Sequence, residues 1–181
     1  MYIVIPRDWG DVVSSRDGIF VCEEYSVESI RKGLENGEKT FLIGADALSN
    51  SGGWLLVRDH LALFGTGSLA GPNHPSGPRF PNLRGMYIVP RVQDRSVRSG
   101  IVMKVPDTRF STGAELKAFS CDALVSSGID LAVAAAHGGA GVVFVLNCRT
   151  PADRSRADFS FLNTLIQETE EVRSSELQRN H

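Results

Sequence analysis

The sequence predicts a domain of the α/β class. Apolar runs of strand length, such as residues 40–45 and 142–146, are continuous rather than alternating, as in strands buried on both faces of a parallel sheet. Segments with helical spacing of apolar residues separate several of these runs, and strands that alternate with helices are typical of this class. Because no internal repeat or linker divides the 181 residues, we expect a single domain over residues 1–181.

The first third of the chain predicts four strands and one helix. The strands are expected at residues 2–5, 19–22, 40–45 and 54–57. The first two are joined by too few residues for a crossover helix, so a loop is expected between them. Apolar side chains at helical spacing predict a helix over residues 26–36, with Ser26 as its N-cap and Gly37 just past its end.

The remainder continues the alternation. Extended segments are expected at residues 85–92, 101–105, 123–125 and 142–146, of which the first is limited to a sheet edge by its proline. Thr112 followed by Glu115 has the spacing of a capping box and predicts a helix over residues 112–121. A second helix, over residues 130–137, should stop at two glycines, and an amphipathic helix from residue 153 onward closes the chain.

Composition narrows the classes of function. A net charge of −2, 42% hydrophobic and 22% charged residues, without a run of like charges, indicate no nucleic-acid partner and no membrane surface. The longest apolar runs fall far short of the ~20 residues that span a bilayer, so a cytoplasmic location is expected. Cys22, Cys121 and Cys148 have no metal-ligand spacing, and we expect no metal. No cofactor is expected either, because Pro72 follows the glycines of residues 65–71 where a dinucleotide-binding helix should start.

The segment from Trp54 to Pro81 is the most informative part of the chain. It reads WLLVRDHLALFGTGSLAGPNHPSGPRFP, an apolar run ending in Arg-Asp-His, a Gly-rich loop with Gly-Pro-Asn, and then Arg-Phe-Pro. In the identity and order of its residues, this segment resembles the trimeric purine nucleoside phosphorylases. The resemblance implies a nucleoside-phosphorylase-like sandwich, with a central mixed, mostly parallel sheet flanked by helices. It also implies a homotrimer that binds a small molecule, in which Phe64 would reach the neighbouring subunit's pocket.

Three positions keep what the family uses for binding, over a resemblance that covers roughly residues 20–150. Phe110 stands where the family stacks an aromatic ring on the base. Ser127 stands where the family has a phosphate-binding serine, and Ala45 where a backbone N–H meets phosphate. The resemblance therefore implies a ligand site built around these residues.

Other positions of the implied site have changed. Ser111 replaces the base-binding glutamate, and Val102 replaces a sugar-contacting tyrosine. Ser126 replaces a methionine and Thr150 an asparagine. Near the phosphate site the family's glycines are replaced by Asp46 and by residues 6–8. The result should be a pocket with fewer charges and smaller side chains, suited to a ligand less polar than a nucleoside.

The lost contacts can be weighed. Hydrogen bonds to charged groups contribute about 1.5 to 3 kcal/mol each, so losing three or four would cost roughly 5 to 10 kcal/mol. That corresponds to about four to seven decades in rate, and we therefore expect that phosphorolysis is lost.

His60, Asp59 and Ser127 are the candidate catalytic residues. For His60 the alternative is a histidine satisfied inside the loop, and for His137 a place at a helix end is a sufficient explanation.

Three functions remain open on the sequence. The favoured one is a small-molecule enzyme of a biosynthetic pathway that has lost phosphorolysis, with a lyase, isomerase or cyclase reaction. The second is a purine nucleoside phosphorylase with a rearranged site. The third is a non-catalytic binding or scaffold protein, because a fold alone does not determine a function.

Overall fold

The computed structural model describes residues 1–13, 20–22, 24–63, 69–70, 72–92, 94, 96–153 and 157–179. Its strands are β1 (Tyr2–Val4), β2 (Phe20–Cys22), β3 (Thr40–Ser49), β4 (Gly53–Leu61), β5 (Arg98–Lys104), β6 (Ala123–Val125) and β7 (Gly141–Arg149). Its α-helices are α1 (Val27–Glu35), α2 (Gly113–Ala118), α3 (Ile129–His137) and α4 (Ser160–Arg179), and a 3-10 helix spans Arg7–Val12. None of these helices is long and apolar enough to cross a membrane.

The predicted helices α1, α2 and α3 are confirmed together with their caps. The Ser29 N–H donates to the Ser26 hydroxyl at 3.2 Å at the start of α1. The Thr112 N–H donates to the Glu115 carboxylate at 2.8 Å at the start of α2, as a capping box requires. These ends are determined by neighbours within one turn, which is why the local sequence predicts them.

Four strands, β3, β4, β5 and β7, are longer than predicted, and the extended segment at residues 85–92 forms no regular strand. We expected β3 to end at residue 45 and β4 at residue 57, but they continue to Ser49 and Leu61. β3 continues past a charged residue because β7 lies beside it in parallel along Thr40–Leu48 and supplies an ionic partner. Residues 85–92 form only an isolated bridge, in which Tyr87 pairs with Val142.

The sheet closes on itself instead of forming the flanked sandwich that the resemblance implies. β3 pairs with β6, β6 with β5, β5 with β4, β4 with β7, and β7 again with β3. Closure is possible because one edge of β3 changes partner, from β1 at residues 41–43 to β6 at residues 47–49. Five pairings are parallel and two antiparallel, so the mixed, mostly parallel sheet is confirmed.

Two apolar layers cover the sheet. One contains the buried faces of α1 and α3, with Ile30 and Ala135 packed near Phe41 and Phe144. The other contains the 3-10 helix and α4, whose Leu162 lies among buried strand residues. The rings of Trp9, Trp54 and Phe159 meet edge to face there, with centroids 5.2 to 5.5 Å apart. This aromatic contact joins the start of the chain to its end.

Candidate functional site

A cleft of about 120 Å³ opens at the end of the barrel where β3 and β7 finish. Its polar and charged lining residues are Asp46 on β3, Arg149 at the end of β7, and Thr108, Arg109 and Ser111 on the loop after β5. The parallel register sets Asp46 opposite Asn147 and Leu48 opposite Arg149, so the two charged side chains converge from neighbouring strands. The cleft is therefore built by strands that are far apart in the sequence.

An ion pair forms one wall of the cleft. Nη2 of Arg149 donates to Oδ2 of Asp46 at 2.6 Å, and the two side chains are 31% and 32% exposed. At this partial exposure the pair is strengthened relative to bulk water but still reachable by a ligand. The cleft thus offers a donor and an acceptor side by side.

The loop after β5 carries a second ion pair that lies in solvent. The Arg109 guanidinium holds Oδ2 of Asp107 at 2.7 Å through Nη2 and at 3.0 Å through Nε, and this contact lowers the pKa of the Asp107 carboxyl. Phe110 is 81% exposed, with the Arg109 guanidinium 5.8 Å from its ring centroid. The ring is thus available to a ligand only at the rim of the cleft.

His60 belongs to a separate polar cluster at the end of β4. The Asp59 carboxylate accepts the His60 backbone N–H at 2.8 Å, and the Tyr87 hydroxyl lies 2.9 Å from Nδ1 of His60. Burial lowers the pKa of His60 and raises that of Tyr87. Tyr87 therefore keeps its proton and can donate it to Nδ1, an arrangement that places the proton of the neutral imidazole on Nε2.

A partly buried ion pair lies near His60, between the end of β5 and the start of α3. Nζ of Lys104, at the end of β5, contacts the carboxylate of Asp130 in the first turn of α3. The register sets Lys104 beside Val125, and Val125 beside Ala47 in the cleft. The charge of Asp130 also raises the pKa of His60, against the larger effect of burial. Lys104, Asp130 and His60 are therefore titratable groups near one another at the ends of β4 and β5, and none of them lines the cleft among the described residues.

Replacing Tyr87 with phenylalanine is expected to raise the pKa of His60. The variant removes a hydrogen bond to the neutral imidazole while leaving the ring packing in place, and loss of such a bond favours the charged form. The Cε1–H resonance of His60, followed by NMR during a pH titration, measures this change. A further fall of the pKa of His60 would show that the Tyr87 hydroxyl does not donate to it.

The depressed pKa of His60 also has a consequence for stability. The unfolded chain takes up a proton near the ordinary value of 6.5, before the folded protein does. The contribution of neutral His60 is therefore present above that pH and is lost as the pH falls toward its folded pKa.

The structure brings only part of the sequence-predicted site together. Ser111 lines the cleft, and Thr150 follows Arg149 but is held by the backbone of Asp153, whose N–H donates to its hydroxyl at 2.8 Å. Ala45 and Val102 are completely buried, so their side chains do not reach the cleft. Ser126 and Ser127 are exposed in the turn between β6 and α3. Phe64 lies outside the described residues.

Sequence reasoning missed the two residues that dominate the cleft. From the sequence, Asp46 is expected only to replace a glycine and to repel phosphate, not to line a binding cleft, and Arg149 is not expected there at all. A signal exists for both, because Asp46 directly follows the apolar run of residues 40–45 and Arg149 comes three residues after the run of residues 142–146. Among the described residues, no three His, Cys, Asp or Glu side chains are grouped as a metal site would require.

No protein-family model matches the sequence, and no curated protein matches it at a significant level. Solved structures do resemble it. Purine nucleoside phosphorylase of Schistosoma mansoni with a monocyclic inhibitor has a TM-score of 0.68 at 20% identity, covering 82% of this chain and 80% of that one. Isoform 2 from the same organism, with cytosine and ribose-1-phosphate, has a TM-score of 0.68 at 17% identity, covering 81% and 75%. The Schistosoma enzyme with guanosine has a TM-score of 0.63 at 23% identity, covering 83% and 72%. The chain has the fold of these enzymes.

Proposed function

We propose that this chain, on a nucleoside-phosphorylase fold, is an enzyme that acts on a compact polar molecule in the cleft and does not catalyse phosphorolysis. The observation that carries the proposal is the ion pair between Asp46 and Arg149 in the wall of the cleft. Asp46 directly follows Ala45, the position at which the family resemblance implies a backbone N–H for phosphate. A carboxylate there repels a phosphate dianion and occupies the nearby arginine.

The cleft also supports a substrate smaller than a nucleoside. Its volume of about 120 Å³ is well below the range of roughly 300–1,000 Å³ that is common for pockets of drug-sized ligands. Asp46 accepts hydrogen bonds and Arg149 donates them, so a matching molecule carries both a donor and an acceptor. Ser111 offers only a hydroxyl where the resemblance implies a carboxylate for the purine base.

The surrounding groups favour a reaction that needs only proton transfer. The cleft itself contains Asp46, while a neutral His60 and the pair of Lys104 and Asp130 are titratable groups at the ends of β4 and β5, outside its described lining. General acid–base catalysis by such groups contributes typically 10² to 10⁴ in rate. Lyase, isomerase and cyclase reactions can proceed with such acid and base side chains alone. His60, Asp59 and Ser127 remain the proposed catalytic residues.

The first test is phosphorolysis itself. Incubation with inosine and phosphate is expected to release hypoxanthine at least about four decades more slowly than the Schistosoma mansoni enzyme does under the same conditions, because the charged contacts that stabilise the reacting groups are missing. Release of hypoxanthine is followed by absorbance or chromatography. A rate within tenfold of that enzyme would refute the proposal and support the alternative below.

The cleft is tested by ligand-induced stabilisation. A panel of compact polar metabolites is screened by thermal unfolding, and a true cleft ligand should stabilise the protein but not its Arg149→Met variant. Arg31→Gln, which changes a lining residue of a different cavity, is the matched control and should keep the stabilisation.

A purine nucleoside phosphorylase with a rearranged site is the second candidate. It is favoured by the structural likeness to enzymes solved with guanosine, with adenosine and with ribose-1-phosphate.

The homotrimer and the cytoplasmic location remain predictions. Light scattering that finds a monomer would contradict the former.

A further inference from the structure

A second cavity, of about 240 Å³, lies away from the cleft. Arg31 of α1 and Ala134 and His137 of α3 form one side of it, and the loop with Asn73, His74 and Ser76 forms the other. A Cβ atom at Gly77 would overlap the backbone carbonyl of His137, so only glycine lets this loop lie directly on the end of α3. The cavity is thus a seam between two helices and the loop.

Polar side chains converge on this cavity through one serine. The Ser76 hydroxyl lies 2.9 Å from Nδ1 of His74 and 3.3 Å from Nδ1 of His137. The Ser76 backbone N–H also points at Nδ1 of His74, at 3.3 Å, so this nitrogen acts as an acceptor. A hydroxyl has a single proton, and the consistent arrangement has Ser76 donating to His74 and accepting from Nδ1–H of His137. The proton of a neutral His74 is then on Nε2.

The charge of the cavity is positive. No carboxylate is among the described residues that line it, whereas Arg31 brings a permanent positive charge. Arg31 also contacts Glu28, but at 3.7 Å and with the two side chains 31% and 58% exposed, so a ligand can compete with this weak surface pair. Asn73 donates from its side chain to the Gly77 carbonyl at 3.1 Å, which closes the loop around the cavity.

We propose that the cavity of Arg31, His74, Ser76 and His137 binds a tetrahedral oxyanion, such as the phosphoryl group of a small organic phosphate. The free donors are the Arg31 guanidinium on α1 and Nε2–H of His74 on the loop, which lie on two sides of the cavity and so approach a ligand from different directions, which suits a tetrahedral group better than a planar carboxylate. Guanidinium groups and imidazole N–H groups form short, charge-assisted hydrogen bonds to such oxygens. The site is an effector or substrate-anchoring site that is additional to the cleft.

The two sites lie at opposite ends of β7. His137 precedes the start of β7, and Arg149 of the cleft is its last residue. A strand rises about 3.3 Å per residue, so nine residues set the two sites roughly 25 Å apart. No lining residue is shared between them. Binding in the cavity therefore does not depend on whether the proposed function of the cleft is right.

Inorganic phosphate is the probe for this site. A phosphate titration at constant pH, followed by the NMR signals of the histidine rings, is expected to shift those of His74 and His137 in a saturable way and to leave that of His60 unchanged. Sodium chloride at equal ionic strength is the control and should shift neither. Arg31→Gln and His74→Gln should each weaken phosphate binding about tenfold or more, because each removes a donor to a charged ligand.

Arg109→Gln is the matched control variant, since Arg109 is an arginine of the cleft loop and should leave phosphate binding unchanged. Thermal unfolding of each variant checks that it folds. Phosphate shifts of His74 and His137 that persist unchanged in both Arg31→Gln and His74→Gln, or that chloride reproduces, overturn the proposal. So does a titration in which only His60 responds.

Discussion

Gly128→Ala is expected to lower the free energy of unfolding by about 2 to 5 kcal/mol, the sum of a backbone term and an overpacking term. Gly128 begins α3 with a φ of 92°, a conformation that L side chains rarely adopt. A Cβ atom there would stand 2.5 Å from Cζ of Phe144 and 2.7 Å from the Tyr25 hydroxyl. Both neighbours are parts of the packed layer under α1 and α3, so neither can move without cost. Urea unfolding followed by circular dichroism measures the change.

Gly139→Ala is the matched control for this substitution. Gly139 also has a positive φ, of 79°, but no atom lies within 4 Å of the position that a Cβ would take. Gly139→Ala should therefore lower the free energy of unfolding only by the backbone term, about 1 to 2 kcal/mol. Equal losses in the two variants would show that the contact with Phe144 is not what reserves position 128 for glycine.

Trp9→Ala is expected to cost about 3 to 5 kcal/mol, the usual range for removing a buried aromatic side chain. Trp9 is completely buried and meets the rings of Trp54 and Phe159. Its loss opens a cavity between the 3-10 helix and the sheet and detaches the start of the chain from the segment before α4. Guanidinium unfolding, monitored by far-UV circular dichroism, gives the size of the effect.

A double-mutant cycle separates this packing from a general loss of stability. A Cβ at Gly44 would lie 2.5 Å from Cζ3 of Trp9, so Gly44→Ala alone should overpack the site by about 1 to 3 kcal/mol. In the Trp9→Ala background the same methyl group enters vacated space and should cost less or even stabilise. Additive effects of the two substitutions would contradict the contact between Gly44 and the indole.

Predictions that rest on neighbours in the sequence succeed in this protein. The caps at Ser26 and Thr112 follow from residues three positions away, and the two glycines after His137 end α3 as expected. The continuous apolar runs also predict the buried strands β3 and β7, whereas the mixed, mostly parallel sheet is implied by the family resemblance. The residue pattern of segment 54–81 also predicts the similarity in fold to purine nucleoside phosphorylases.

The candidate site could be predicted only in part. Ser111 was placed correctly at the cleft, but the charged wall depends on a contact between residues 103 positions apart. We expected Val102 to contact a ligand, but its side chain is completely buried in the core. The resemblance alone implied an emptier, less polar pocket than the one that strand pairing assembles.

By itself, the sequence determined the α/β class, the ends of three helices and the likeness to a known fold, since periodicity and capping act over a few residues. Only the tertiary structure decided that the sheet closes, that Asp46 meets Arg149, and that His74 and His137 share one serine. Each of these depends on how distant strands and loops pair, and strand register determines which side chains face each other. The chemistry proposed for this protein lies in those long-range contacts.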